Sequence, residues 1–199
     1  DVAQMEQRID DMTDQFRRDQ LDRMRSGVCN EEACIIYSEL LTDFERIGDH
    51  ALNIAECAKE IHEKNIVFSE QAQRELSMLQ QAIRDILHLS VDTFIESNVS
   101  GARRVEPLEE IVDTLCDEMK SHHIERLQRG VCTLNQGFVF NDLLTNFERV
   151  ADHCSNIALA VIELQSDSFD THEYVRSLKQ MKDESFAEYY DEYKRKYSI

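Results

Sequence analysis

The apolar residues of this chain recur at steps of three and four, the period of an α-helix that buries one face. Leu40, Phe44, Ile47, Ala51, Ile54, Ala58 and Ile61 form one such stripe, and Leu143, Phe147, Val150, Cys154, Ile157, Val161 and Leu164 form another. Both read as seams of a helical bundle. Val2, Met5, Ile9, Met12 and Phe16 make a third stripe near the start. Breakers separate the periodic segments: Ser26-Gly27, residues 65–69, Ser100-Gly101 followed by Pro107, Gly130, and residues 166–171. Six helices are therefore predicted, near 1–26, 30–65, 69–98, 104–129, 133–165 and 171–197, and the fold class is all-α.

The chain repeats itself with a period of 103: residues 40–55 and 143–158 are identical at 11 of 16 positions. The register extends outward, Gly27-Val28-Cys29 lying over Gly130-Val131-Cys132 and residues 5–10 over 108–113. Fixed spacing across helices and turns makes each half one supersecondary unit. The expectation is two tandem three-helix bundles, 1–98 and 99–199, joined in one domain.

The polar faces carry the candidate chemistry. Glu6, Asp10 and Asp14 step up the first helix at intervals of four, and Glu109, Asp113 and Asp117 repeat them. Glu45 and Asp49, copied as Glu148 and Asp152, fall about 160° from Ile47 at 100° per residue, which places them on the outer surface of their helix. Carboxylates four apart share one helix face, so two pairs on neighbouring helices can converge on one spot. Repulsion disfavours that arrangement unless a hard, oxygen-preferring cation neutralises it. Acidic pairs are common on solvated helices, but both pairs recur at the same offset. The reading is two metal sites, Glu6, Asp10, Glu45 and Asp49 in one and Glu109, Asp113, Glu148 and Asp152 in the other, with Asp14 and Asp117 as outer candidates. His50 and His153 are read as packing at the rim, Cys29 and Cys132 as small buried thiols, and Arg46 and Arg149 as partners of nearby carboxylates.

Charge narrows the partners. Lys plus Arg number 22 against 40 Asp plus Glu, a net charge of −18, which repels a phosphate backbone and argues against nucleic acid. Six cysteines without a C-x-x-C pair suit a reducing, cytoplasmic setting. No apolar run reaches the roughly 18 residues of a membrane span. The absence of an initiator Met is read as a piece of something larger.

Leu41-Thr-Asp-Phe-Glu-Arg-Ile-Gly-Asp-His with Asn53-Ile-Ala, and its copy from Leu144 to Ala158, resemble the signature of the PhoU family of phosphate-uptake regulators. The wording of the copy and the Gly-Val-Cys turns resemble most the PhoU-like cytoplasmic tail of bacterial sodium/phosphate cotransporters. The resemblance covers both repeats. It implies a Glu/Asp-x-x-x-Asp metal motif that falls on the eight residues already singled out, holding divalent or iron-like ions such as Mg, Mn, Fe or Zn. It also implies that the family's first helix precedes Asp1 and that helix 69–98 leads the second repeat. The last helix, with Phe186, Tyr189, Tyr190, Tyr193 and Tyr197, then either fills the missing position or docks a partner.

Chemistry of its own is not expected. No Glu is followed by His at the third position, and HExxH, P-loop and G-x-G-x-x-G motifs are missing from the sequence. The expected function is a metal-binding regulatory module of phosphate transport, tethered at the inner face of the membrane and contacting the transporter domain of its own chain or phosphate-signalling proteins. A homo-oligomer is allowed. The alternatives are a stand-alone PhoU-type adaptor repressing a phosphate-responsive two-component system, and a purely structural bundle.

Overall fold

A computed structural model describes residues 1–165 and 184–199. Helix α1 (Val2–Arg25) is started by the Asp1 carboxylate, which accepts from the Ala3 amide, and stops at Gly27, whose φ of +69° suits a residue without a Cβ. Asn30 caps α2 (Glu31–Glu63) through the Ala33 amide, and Ser69 caps α3 (Glu70–Glu96) through that of Ala72. A single turn, α4 (Val99–Ala102), fills the stretch read as a breaker, with Asn98 capping it. Pro107 sits in the first turn of α5 (Val105–Gln128), where its missing N–H costs nothing. After Gly130, again at φ +69°, come α6 (Leu134–Gln165) and α7 (Glu184–Lys196). Helices are the regular structure of the described residues. Of the predicted last helix, 171–183 lies outside them.

Helix α1 lies on α2, and α2 crosses α6. The rest gathers around α6: α3 and α5 pack on it and on each other, and α7 packs on α5. Leu79, Ala82 and Ile86 of α3, Leu108, Val112 and Met119 of α5, and Phe140, Leu144 and Cys154 of α6 are sealed in this core. A smaller cluster, Ile36 and Leu40 with Ile157 and Ala160, joins α2 to α6. The division at 98/99 follows the sequence repeat. By packing, α3 lies on α6 and α5.

Three expectations change. The α6 stripe is buried except at Leu164, but on α2 Ala51 and Ala58 are exposed. The third stripe is mostly open, Val2, Met5, Met12 and Phe16 all being exposed. Periodicity marks the apolar face of a helix without supplying the element that covers it, and no described helix lies over this face of α1. The C-terminal tyrosines do not fill that gap. Tyr193 and Tyr197 are buried beside α5, while Lys196 Nζ reaches Asp85 Oδ2 of α3 at 2.6 Å and the Tyr197 hydroxyl donates to the same oxygen.

Candidate metal centres

Because α2 has α6 on one side and α1 on the other, its polar face is not solvent-facing. Glu45 and Asp49 point toward α1 and are half-buried. This corrects the outward placement expected from the helical-wheel angle: a second neighbour stands where open water was assumed. Gly48 makes the approach possible. A Cβ there would lie 3.2 Å from Ile9 Cδ1, so the two backbones meet closely at this level.

At that crossing Glu6 and Asp10 of α1 converge with Asp49 of α2, one oxygen from each lying within 4.8 Å of the others. The second repeat builds the same triad from Glu109 and Asp113 of α5 and Asp152 of α6. Three of the four acids expected in each site therefore come together. The fourth is held by a cation on the facing helix: Arg17 Nη2 donates to Glu45 Oε2 at 2.6 Å, and Lys120 Nζ to Glu148 Oε2 at 2.8 Å. Arg17 and Lys120 are again 103 apart. Asp14 and Asp117 lie outside the triads, exposed and nearest to those same cations at 4.0 and 3.6 Å. Arg46 and Arg149 pair with Asp49 and Asp152 at 3.1 and 3.0 Å, as expected.

The electrostatics are those of like charges brought together. Burial and the neighbouring acids hold Glu6 and Asp10 above the usual carboxylate range. In the more enclosed second centre, burial first, then Asp113, Glu106 and Asp152, push Glu109 up to about 8. Burial, then Glu148 and Asp152, push Asp113 to about 6 against the opposing pull of Lys120. Asp10 Oδ1 and Asp113 Oδ1 are buried without a hydrogen-bond partner. An orphaned carboxylate oxygen in the same place in both repeats fits a cation as its missing partner. The donor set is all oxygen, which suits Mg, Mn or iron better than zinc, with its preference for nitrogen and sulfur.

The histidines do other work. His153 Nδ1 donates to Asp43 Oδ1 at 2.8 Å, and Asn156 Nδ2 to the same oxygen at 3.0 Å. Across the crossing, His50 Nδ1 and Asn53 Nδ2 donate to Asn146 Oδ1 at 2.9 and 3.1 Å. The two rings stack at 5.7 Å between centroids. This reciprocal clasp ties α2 to α6, which run antiparallel, and sequence reasoning missed it. Its signal was present: His50/His153 and Asn53/Asn156 are identical across the repeat, and Asp43/Asn146 keep an acceptor oxygen. Cys29 also departs from expectation. It is half-exposed and paired with Cys34, the Cα atoms 6.5 Å apart, whereas its counterpart Cys132 faces His123 Nδ1 at 3.8 Å.

An internally duplicated helical protein with one inter-helix carboxylate triad per repeat is the class that fold and site define. The PhoU domain model matches residues 1–58 and 76–161, and the chain belongs to that family. It is 26% identical over 137 residues to the phosphate-specific transport system accessory protein PhoU homolog 1 of Thermotoga maritima, a match covering 69% of this chain and 58% of that protein. A PhoU homolog of the same description from Clostridium acetobutylicum is 25% identical over 161 residues, 78% of this chain and 72% of its own. The crystal structure of PhoU from Pseudomonas aeruginosa superposes with a TM-score of 0.68 at 23% identity, over 81% of this chain and 80% of that one, which bears on the fold.

Proposed function

We propose that this chain is a metal-dependent accessory regulator of phosphate transport that acts by protein contact. The observation that carries the metal reading is the pair of triads, 103 residues apart, each with a buried and unpartnered aspartate oxygen. Glu6, Asp10 and Asp49 would hold one ion, and Glu109, Asp113 and Asp152 the other. Each triad spans two helices, so an ion there fixes α1 on α2, or α5 on α6, and sets the surface a partner meets. The relatives are named as accessory proteins, which supports an adaptor over the transporter tail expected from the wording of the repeat. No helix among the described residues is long and apolar enough to cross a membrane. Phosphate-signalling proteins are accordingly the partners proposed, at the inner face of the membrane.

Two measurements test this reading. Elemental analysis of the purified chain and of the Asp10→Asn/Asp49→Asn and Asp113→Asn/Asp152→Asn variants should show metal lost from one centre in each. Unchanged content in both would sink the ligand assignment. In cells lacking their own accessory regulator, the chain should restore repression of a phosphate-responsive reporter, and the combined four-site variant should not. Full repression by that variant would separate the regulator from its metals.

A further inference from the structure

The two repeats fasten the same turn by different means. Both turns read Gly-Val-Cys, ending at Cys29 and at Cys132. In the second repeat Gly137 occupies the place of Cys34, and there is no room for more: a Cβ would lie 2.5 Å from His123 Nε2. Cys132 Sγ lies 3.8 Å from the other nitrogen of that ring. The turn is held by hydrogen bonds, Gln136 Oε1 accepting from the Thr133 amide at 2.7 Å and Gln136 Nε2 donating to the Val67 carbonyl at 2.8 Å. None of this carries over to the first repeat. Ala33 stands for Gln136, while Gln20 stands for His123 and donates to the Cys34 carbonyl at 2.5 Å. The space so left holds the Cys34 side chain, whose sulfur meets that of Cys29. Their Cα atoms are 6.5 Å apart, inside the span of a disulfide. A covalent link thus stands where the other repeat uses side-chain hydrogen bonds.

We infer that Cys29 and Cys34 form a dithiol–disulfide switch that locks the turn between α1 and α2 when oxidised and frees it when reduced. The other four cysteines are free, so the pair is not part of a disulfide scaffold; a single bridge among free thiols is of the kind that opens and closes in service. Cys116 and Cys154 are sealed, and burial pushes each thiol up to about 12, which removes them from exchange near neutral pH. The pair itself is placed for exchange. Cys29 is half-exposed and Cys34 only 4% exposed, so a small dithiol reaches Cys29 Sγ first. The attacking thiolate bonds to that sulfur, the Cys29–Cys34 bond breaks, and the electron pair leaves on Cys34 Sγ, which takes up a proton. The second thiol of the reductant then displaces Cys29. Two protein thiols and a cyclic disulfide result, two electrons having passed to the protein. One equivalent of a small-molecule disulfide such as oxidised glutathione reverses the change, leaving as two thiols. Once free, the Cys29 thiol has an acceptor in reach, the Asn30 carbonyl at 3.4 Å from Sγ. What the lock governs is local. Asn30 caps α2, and the Cys34 carbonyl anchors Gln20 of α1. Reduction therefore loosens the start of α2 together with the end of α1 that rests on it.

Thiol exchange on the whole chain tests this, in chelator so that metal plays no part. The protein is equilibrated with mixtures of reduced and oxidised glutathione, remaining thiols are alkylated, and the bridged peptides are mapped. Six thiols should fall to four, Cys29 and Cys34 being the two that are lost. Amide hydrogen exchange of the two end states should differ at residues 28–37, the reduced form exchanging about ten-fold faster, the order of freedom that closing so short a loop removes. Residues 131–140, where the second repeat has no bridge, should exchange alike in both. Cys29→Ser should keep residues 28–37 at the faster rate in either buffer. Its position is half-exposed, so it remains informative if Cys34→Ser disturbs the buried site. Cys132→Ser should leave the transition untouched. Bridging of Cys29 to any other cysteine, or no bridge at the most oxidising ratio, overturns the inference. A bridge that leaves exchange at residues 28–37 unchanged overturns it equally.

Discussion

Ile9 resting on Gly48 has a partner in the other repeat that shows how tightly the volume is set. The positions 103 residues on are the buried Val112 and Ala151: one side chain is a methylene smaller than Ile9 and the other a methyl larger than Gly48. The compensating change of volume matches a gap of one size between the two helices that carry a triad. Gly48→Ala would gain about 0.5–1 kcal/mol of helix propensity but press a methyl to 3.2 Å from Ile9, and overpacking of that kind costs about 1–3 kcal/mol. A net loss of about 1 kcal/mol is expected in thermal unfolding, with weaker metal uptake at the first centre. Adding Ile9→Val should recover both, because it recreates the second repeat. The same scale governs pH. Glu109 is raised from its ordinary 4.5 to about 8, and Asp113 from 3.8 to about 6, so the fold favours their protonated forms. In chelated protein the stability they lend is complete below about pH 4 and is lost as pH climbs through 6 and 8. Melting midpoints should therefore fall across that window without metal. With manganese the difference from the chelated curve should widen as pH rises, since the ion binds the ionised acids.

At the scale of helices, the clasp between α2 and α6 divides into unequal halves. Asp43 is 8% exposed and depends on His153 and Asn156 for its donors, whereas the half-buried Asn146 is neutral. His153→Ala leaves a buried carboxylate short of a partner and should cost about 2–3 kcal/mol in denaturant unfolding; His50→Ala, opposite an amide, should cost about 1 kcal/mol. Equal losses would mean that the charge of Asp43 is irrelevant to the crossing. What was legible beforehand follows the same division between local and relational facts. Helix positions came from period and breakers, and six of the acids that converge were identifiable because Glu6, Asp10 and Asp49 recur intact in the copy. Which neighbour each face meets did not follow from period. Periodicity predicts core for the stripe of α1, which is open, and spacing predicts a ligand in Glu45, which Arg17 of the neighbouring helix holds. The clasp was hidden for the same reason, His50 and Asn146 being brought together by a crossing between repeats that neither repeat encodes alone.

Over the whole molecule, 40 acidic side chains face 22 basic ones, and the triads are where that imbalance is concentrated and partly withdrawn from water. A fold that spends stability on assembling like charges has two possible ways to relieve the strain, neutralising them by mutation or by a cation, and the two exclude each other. Asp113→Asn removes one member of the more enclosed centre. Its buried oxygen loses a charge that Glu148 and Asp152 repel, so in chelated protein at pH 8 the variant should be more stable than the parent by about 1–2 kcal/mol, the shift of Asp113 being discounted for partial exposure. With saturating manganese the order should reverse, because the parent gains by mass action at a site the variant has lost. Asp10→Asn should show the same reversal with a smaller amplitude, its centre being the more open. Scanning calorimetry of the three proteins with and without the ion reads both signs at once. A variant that is less stable than the parent in chelator would mean that these acids are held by the protein's own contacts, and the case for cations at the two crossings would fall with it.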